Sequence, residues 1–181
     1  GDGHLGIWGA LRNVYPEAAE QRCWNHKAIN VLDKLPKKRQ GEAKGQLQQM
    51  AYAESRRQAE ERRDKFVQWC QKEGCNAAAE TLIRDWERLV TFYQFPKEHW
   101  KHLRTTNVVE SPFAALRLRT DAAKRYKKAE NATAVIFKML MLAEGRFRRL
   151  NAPELLKQVY LGVQFRDGME VKQELVQELA A

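Results

Sequence analysis

The chain has 181 residues, of which 44% are apolar and 30% are charged, and its formal net charge at pH 7 is +9. A chain of this length can bury a substantial core, and this composition excludes an intrinsically disordered protein. No apolar run reaches the roughly 18 residues that a membrane-spanning helix needs, so the sequence predicts no such helix.

The excess of positive charge favours an anionic partner. Nucleic acid is the first candidate and an anionic membrane surface is the second, while a merely basic soluble protein is the alternative. The three cysteines are an odd number, and the first residues resemble neither a signal peptide nor a transit peptide. Both features indicate a reducing cytoplasm. Because residue 1 is Gly rather than Met, we expect the chain to be cut from a longer one.

The first 36 residues predict short helices that end at prolines. We expect a helix over residues 5–14, before Pro16, and either a brief strand or the start of a helix over residues 21–24. Apolar side chains then recur at helical spacing over residues 24–35, and Pro36 ends that run.

Residues 37–93 consist almost entirely of helix-forming residue types. The pattern predicts one helix over 41–53, a second over 55–73 that ends at Gly74, and a third over 76–93. We interpret these helices as an antiparallel helical insert rather than as part of a sheet.

The remaining sequence predicts two longer helices and a polar end. After an irregular link, Asn107 is a suitable N-cap for one helix, and Asn131 is a suitable N-cap for an amphipathic helix that extends to Phe147. Pro153 suits the first turn of a short helix, and from Phe165 onward the chain is expected to be a tail.

Asp2 is flanked by Gly1 and Gly3, so a ligand can approach its carboxylate closely. An unhindered carboxylate suits a divalent metal ion. The alternative is a simple turn, because Asp-Gly pairs are common in turns.

Cys23 and His26 are three residues apart at a predicted helix start, so both fall on one face and both can bind zinc. No second pair of ligands follows at zinc spacing, and His99 and His102 lie far along the chain. We therefore expect local packing of Cys23 with a hydrogen-bonded His26, rather than a zinc site.

Glu110 lies in the first turn of a predicted helix, where the helix dipole favours a carboxylate even if it has no further role. The residues just before it can contact phosphate through charge, hydroxyl groups and backbone amides: Arg104, Thr105, Thr106 and Asn107. A dense basic run follows, made of Arg117, Arg119, Lys124, Arg125, Lys127 and Lys128. A basic run is usually a solvated face, but beside this link and Glu110 it favours contact with DNA.

Taken in order, these clusters resemble the Mutator-like transposases of bacterial insertion sequences. The resemblance covers most of the chain and is carried by residues 1–3, 21–27, 30–36, 92–96, 98–107, 110–111, 117–120 and 147–151. Each segment is common by itself, whereas the ordered set is highly specific. Pro112 departs slightly from the family pattern.

The resemblance implies a mostly α fragment of an α/β ribonuclease H-like fold with a helical insertion and few short strands, around Asp2 and Cys23. It divides the chain into a partial ribonuclease H-like core over 1–36, the helical insertion over 37–95, core helices over 96–163, and a tail over 164–181. It further implies that the first of three catalytic acids, and the DNA-end-binding region, lie upstream of Gly1.

The same resemblance assigns roles to individual residues. Asp2 matches the second catalytic acid and Glu110 the third, and together they would hold two Mg²⁺ or Mn²⁺ ions. Cys23 and His26 match the family's Cys-x-x-His signature. Trp100 is a candidate for stacking on a distorted base, with core packing as the alternative.

The function implied is strand cleavage and strand transfer at transposon ends. The expected partners are double-stranded DNA of the ends and the target, and further copies of the protein in the active complex, in a bacterial cytoplasm near the nucleoid. We expect the chain alone to be inactive, because one acid is missing, and to expose apolar surface that the missing segment covers. The alternatives are a non-catalytic basic helical nucleic-acid-binding protein and a decayed transposase remnant.

Overall fold

The computed structural model describes residues 1–171, which are mostly helical. The α-helices are α1 (Leu5–Val14), α2 (Trp24–Leu32), α3 (Lys37–Ala51), α4 (Arg56–Lys72), α5 (Asn76–Ile83), α6 (Trp86–Leu89), α7 (Trp100–Leu103), α8 (Asn107–Ala123), α9 (Ala129–Glu144) and α10 (Leu156–Tyr160). Short 3-10 helices span Thr91–Gln94, Lys97–His99 and Pro153–Leu155, and two strands, β1 (Phe165–Arg166) and β2 (Met169–Glu170), form a hairpin. Among the described helices, none is long and apolar enough to cross a bilayer.

The chain divides into two compact units. The first comprises Gly1–Thr105 together with the described part of Ala152–Ala181, and the second comprises Thr106–Asn151.

The core of the first unit lies among the helices of residues 24–103. Helices α3 and α4 pack against each other, and α2 and α5 pack onto them. The largest fully buried side chains include Phe66, Phe92, Leu47, Met50 and Leu82. This continuous apolar core gives residues 1–105 a rigid frame on which the segments around Asp2 can be held.

Helix α4 illustrates why these polar sequences are helical. The Ser55 hydroxyl accepts a hydrogen bond from the Gln58 amide at 3.2 Å, which caps the first turn. Ion pairs one turn apart follow along the exposed surface, from Arg56 to Glu60 at 2.8 Å and from Arg57 to Glu61 at 2.6 Å. The predicted helix over 55–73 is therefore confirmed, with Ser55 as its cap.

The third predicted helix, over 76–93, is interrupted. It consists of α5, α6 and the 3-10 helix Thr91–Gln94. The carbonyl oxygen of Arg88 accepts from the Arg22 amide at 2.8 Å, and that of Leu89 accepts from the Trp24 indole at 2.8 Å. These carbonyl groups accept hydrogen bonds from distant residues instead of from the next helical turn, so α6 ends at Leu89.

Strands are absent at the two places where the sequence suggested them, within residues 1–171. The Gly1 nitrogen lies 2.7 Å from the Gln21 oxygen, and the Cys23 amide donates to the Gly1 oxygen at 2.8 Å. This pair of contacts has the pattern of a parallel strand pair, although it extends over no further residue. It brings Asp2 beside the start of α2.

The first part of the tail predicted from residue 164 is a β-hairpin instead. Strands β1 and β2 pair Phe165 with Glu170 and Arg166 with Met169. The connecting residues Asp167 and Gly168 both have positive φ, 50° and 82°, as a tight two-residue hairpin turn requires. Phe165 is buried. The rest of the predicted tail, residues 172–181, lies outside the described residues.

The second unit is formed by α8 and α9, which pack against each other. Helix α8 begins one residue after Thr106, which occupies the cap position expected for Asn107. Helix α9 begins at Ala129, two residues before the predicted cap Asn131. None of the residues of α9 is fully buried, and Phe137, at 64% exposure, is an example of its exposed apolar side chains.

Candidate metal and nucleic-acid site

Asp2 lies in a turn that presents its carboxylate to solvent. Its Oδ1 accepts a hydrogen bond from the His4 amide at 2.9 Å, and the His4 ring in turn accepts from the Gly6 amide at 3.2 Å, at the start of α1. Asp2 is exposed. The two hydrogen bonds fix the turn locally and leave most of the carboxylate's acceptor positions available.

The neighbouring Gly3 allows a close approach by Arg22. Gly3 has a φ of +98°, and a Cβ atom at this residue would lie 2.1 Å from the Cζ atom of Arg22. Only glycine meets both conditions, because it tolerates positive φ and has no side chain to collide with the guanidinium. The sequence suggested one reason for a glycine at residue 3, which is access to the Asp2 carboxylate. The structure adds a second reason, which is the space that the Arg22 guanidinium occupies.

The electrostatic surroundings keep Asp2 ionised. The hydrogen bond from the His4 amide lowers the pKa of Asp2 below its ordinary value, burial opposes this to a smaller extent, and electrostatic interactions with His26 and Arg22 lower the pKa further. An ionised carboxylate is the form that binds a hard divalent cation.

Cys23 and His26 lie at the start of α2, close to Asp2. Cys23 is buried and its Sγ is 3.2 Å from the Nδ1 of His26. Within residues 1–171, no three His, Cys, Asp or Glu side chains cluster in an arrangement that would hold a metal ion. The pair thus forms a local contact at the helix start.

Glu110 belongs to the second unit, whereas Asp2 belongs to the first. The Glu110 amide donates to the Thr106 carbonyl at 3.0 Å, within the first turn of α8. The Thr106 hydroxyl donates to Oε1 of Glu110. The Glu110 side chain is exposed and is oriented by Thr106, a residue that the sequence assigned to phosphate contact.

Trp100, a predicted DNA-binding residue of the first unit, lies in the core of that unit. Trp100 is 3% exposed, its indole donates to the Phe95 carbonyl at 2.9 Å, and its ring packs against Phe92 and Tyr93. The structure therefore favours the second alternative for Trp100, core packing over stacking on a base, because the ring is enclosed by its own core.

Arg104 is half-buried in the same aromatic region. Its guanidinium lies 4.5 Å from the centre of the Tyr52 ring and 5.3 Å from that of Phe92, and it donates to the Ala51 carbonyl at 3.3 Å. Burial lowers the pKa of Arg104. These contacts favour a packing role for Arg104 over the predicted contact with phosphate.

The predicted basic run lies at the end of α8 and in the link to α9. All of its members are exposed: Arg117, Arg119, Lys124, Arg125, Lys127 and Lys128. Lys124 has a φ of +57°, which ends α8. Thr105 and Asn107 lie at the junction of the two units. Contact of these residues with DNA stays a prediction.

A feature that the sequence did not indicate is a cavity of about 470 Å³ beside Gly3. We call it the Arg22 pocket; its charged lining residues are Arg22, Lys27, Asp33, Lys34, Arg84, Asp85 and Arg88. Of these residues five are basic and two are acidic. The sequence does not indicate that these residues meet, because they come from two segments about 60 residues apart that the fold brings together.

Asp85 is a common partner of three of the five basic residues in this pocket, of which Arg88 also pairs with Glu20. Its carboxylate contacts Lys27 and lies 3.5 Å from Nε of Arg22 and 3.9 Å from Nη1 of Arg88. Burial by itself raises the pKa of Asp85, but the hydrogen bond from Lys27 and the charges of Lys27, Arg22 and Arg88 bring it below its ordinary value. One carboxylate thus faces three cations.

Known proteins resemble this chain over nearly its whole length. The family described as "Transposase, Mutator family" matches residues 1–149. A transposase for insertion sequence element IST2 of Acidithiobacillus ferrooxidans is 44% identical over 169 residues, which are 93% of this chain and 57% of that protein. A transposase for insertion sequence element IS6120 of Mycolicibacterium smegmatis is 39% identical over 168 residues, covering 93% of this chain and 52% of that protein.

The chain spans about half the length of these relatives. No solved structure matches it significantly. The family match covers Asp2, the Cys23–His26 pair and Glu110 together, in the order that the sequence motifs suggested. The chain belongs to the Mutator family of transposases.

Proposed function

We propose that this chain is part of the catalytic domain of a transposase that cleaves and joins DNA strands, and that Asp2 and Glu110 are two of its three metal-binding carboxylates. The observation that supports this most is the setting of Asp2 in a chain of this family. Its carboxylate is exposed, ionised and held in a turn by His4. The ribonuclease H-like fold is part of the same proposal.

The two side chains suit magnesium or manganese. Carboxylate oxygens are the hard ligands that these ions prefer, and Asp2 retains acceptor positions beyond the one used by His4. Asp2 and Glu110 would hold two such ions, which would supply activation of the attacking oxygen and stabilisation of the leaving oxygen in an in-line displacement at phosphorus.

The chain's own residues prepare this chemistry. The His4 amide and the nearby positive charges keep Asp2 unprotonated, and the Thr106 hydroxyl orients Glu110. The exposed basic run from Arg117 to Lys128 would neutralise phosphates, so we expect DNA affinity to fall steeply with salt.

The remaining parts of the proposal concern the longer protein. The third carboxylate comes from a segment outside these 181 residues, so the isolated chain is expected to be inactive. The partners are double-stranded DNA at the transposon ends and the target, and further copies of the transposase. The site of action is the bacterial cytoplasm, near the nucleoid.

The test uses a transposase that carries this segment together with the upstream acid. Glu110→Gln removes the negative charge and retains the shape, so Mg²⁺-dependent cleavage of a labelled transposon end should fall by at least roughly a thousandfold. DNA binding, measured in parallel, should stay within about twofold, because the surrounding basic residues are unchanged.

Glu130→Gln is the matched control, since Glu130 is also an exposed glutamate in the first turn of a helix of the same unit. It should cleave like the wild type. Normal cleavage by Glu110→Gln would contradict the catalytic assignment and favour a non-catalytic nucleic-acid-binding protein. Joint loss of cleavage and DNA binding would indicate a structural role for Glu110.

A further inference from the structure

Arg22 is an unusual residue for a protein interior because its charge is incompletely compensated. Its side chain is 7% exposed, and its Nε and Nη1 atoms are buried without a hydrogen-bond partner. The carboxylate of Asp85 is 3.5 Å from Nε and is shared with Lys27 and with Arg88, which also pairs with Glu20. A buried cation without full pairing is costly, so an additional anion in the pocket would be stabilised.

The other basic residues increase the positive potential of the pocket. Lys27 is also buried, with its ammonium group donating to the Thr81 carbonyl at 2.9 Å and contacting Asp85. Lys34 and Arg84 are exposed at the rim. Because the walls have a low dielectric, the charges of the buried residues are weakly screened and their field is concentrated in the cavity.

The size and chemistry of the Arg22 pocket fit a phosphate group. Its volume of about 470 Å³ lies in the range of ordinary ligand sites, and guanidinium groups are well suited to phosphate oxygens. The pocket also borders Gly3, the residue after Asp2. A phosphate bound there would lie beside the turn that holds the proposed catalytic carboxylate.

We propose that the Arg22 pocket binds a phosphodiester group of the DNA backbone. This inference rests on the proposed function, and it adds a DNA contact outside the basic run of residues 117–128. The same pocket could also bind free inorganic phosphate. The experiment below distinguishes a DNA phosphodiester from free phosphate as the ligand.

The test compares the binding of a labelled DNA duplex to the 181-residue chain and its variants by fluorescence anisotropy, over a series of NaCl concentrations. Arg22→Gln and Arg84→Gln should each weaken binding by about fivefold or more. Each should also reduce the slope of log affinity against log salt by about 0.9, the value for one lost phosphate contact.

Arg57→Gln is the matched control, because it removes the same charge from an exposed residue of α4 outside the pocket. It should change neither affinity nor slope. Circular dichroism checks that each variant folds. If Arg22→Gln does not fold, the DNA affinity of Arg84→Gln tests the pocket assignment, because Arg84 is exposed and its substitution leaves the core intact.

Equal binding by all four proteins would overturn the pocket assignment and leave the proposed function standing. Absence of DNA binding by the wild type would overturn the pocket assignment alone, because the proposed function is tested separately by the cleavage activity of the Glu110→Gln variant. A second measurement follows the thermal midpoint with inorganic phosphate at constant ionic strength. A rise in the wild type that Arg84→Gln abolishes, combined with unchanged DNA binding, would identify a free-phosphate site and overturn the assignment to DNA.

Discussion

Two features of the structure require a glycine at residue 3. Its backbone has a φ of +98°, and Arg22 occupies the space where a side chain would lie. Asp2 immediately precedes it, so the conformation of Gly3 determines how the proposed ligand is presented. A residue that looks like an ordinary turn glycine in the sequence is therefore tied to a buried guanidinium of another segment.

We predict that Gly3→Ala destabilises the chain. A non-glycine residue at positive φ costs about 1–2 kcal/mol, and displacement of the Arg22 guanidinium adds to this. The free energy of unfolding from urea denaturation should fall by about 2 kcal/mol or more.

Gly9→Ala provides the control for this prediction. Gly9 lies inside α1, and a Cβ atom there would meet nothing within 4 Å. Alanine is the better helix former, so this variant should be more stable than the wild type by about 0.5–1 kcal/mol. A Gly3→Ala variant as stable as the wild type would show that the Arg22 contact is dispensable.

Individual residues were predictable from sequence only where a motif identified them. Asp2 and Glu110 were selected by their flanking residues and by resemblance to the family. Trp100 and Arg104 were assigned to DNA for the same kind of reason, but the aromatic core encloses one and packs against the other. Arg22 was missed because its burial depends on Gly3 and Asp85, which are distant in sequence.

The hairpin of β1 and β2 is attached to the helices of the first unit. Asp167 Oδ1 accepts a hydrogen bond from the Arg56 amide at 2.6 Å, at the start of α4. Gly168 approaches Lys97 so closely that a Cβ atom would lie 2.6 Å from Lys97 Cβ. The hairpin thereby supplies a capping group to a helix more than 100 residues earlier in the chain.

We predict that Asp167→Ala lowers the free energy of unfolding by about 1–2 kcal/mol, because the Arg56 amide loses its acceptor and Ala is less tolerant of the positive φ. Asp167→Asn should retain most of the stability, since its amide oxygen still accepts and Asn tolerates this backbone conformation. Urea denaturation of the three proteins measures both effects. Equal losses in Ala and Asn would implicate the charge instead of the hydrogen bond.

Elements were predictable where local preferences agree with packing. The predicted bounds of α4 agree with the structure because its cap and its ion pairs join residues that are close in sequence. The end of α6 was not predictable, because the apolar spacing continues through it and distant donors from Arg22 and Trp24 bind its last carbonyl groups. The hairpin did have a local signal, the Asp167-Gly168 pair, which was outweighed by the polarity of its neighbours.

The whole molecule combines a large helical unit with a smaller one formed by α8 and α9. The two proposed metal ligands belong to different units. A net charge of +9, the exposed basic run and the Arg22 pocket are all consistent with a polyanionic partner. The central proposal is that Asp2 and Glu110 hold the same metal ions.

The most direct test of that proposal is Mn²⁺ binding, followed by electron paramagnetic resonance, to a transposase that carries this segment and the upstream acid. The proteins compared are the wild type, Asp2→Asn, Glu110→Gln and the double variant. If the two carboxylates share the ions, each single variant should lose roughly tenfold or more in affinity, and the double variant should lose much less than the product of the two effects. Losses that multiply independently, or a single variant that binds Mn²⁺ like the wild type, would contradict the shared metal site.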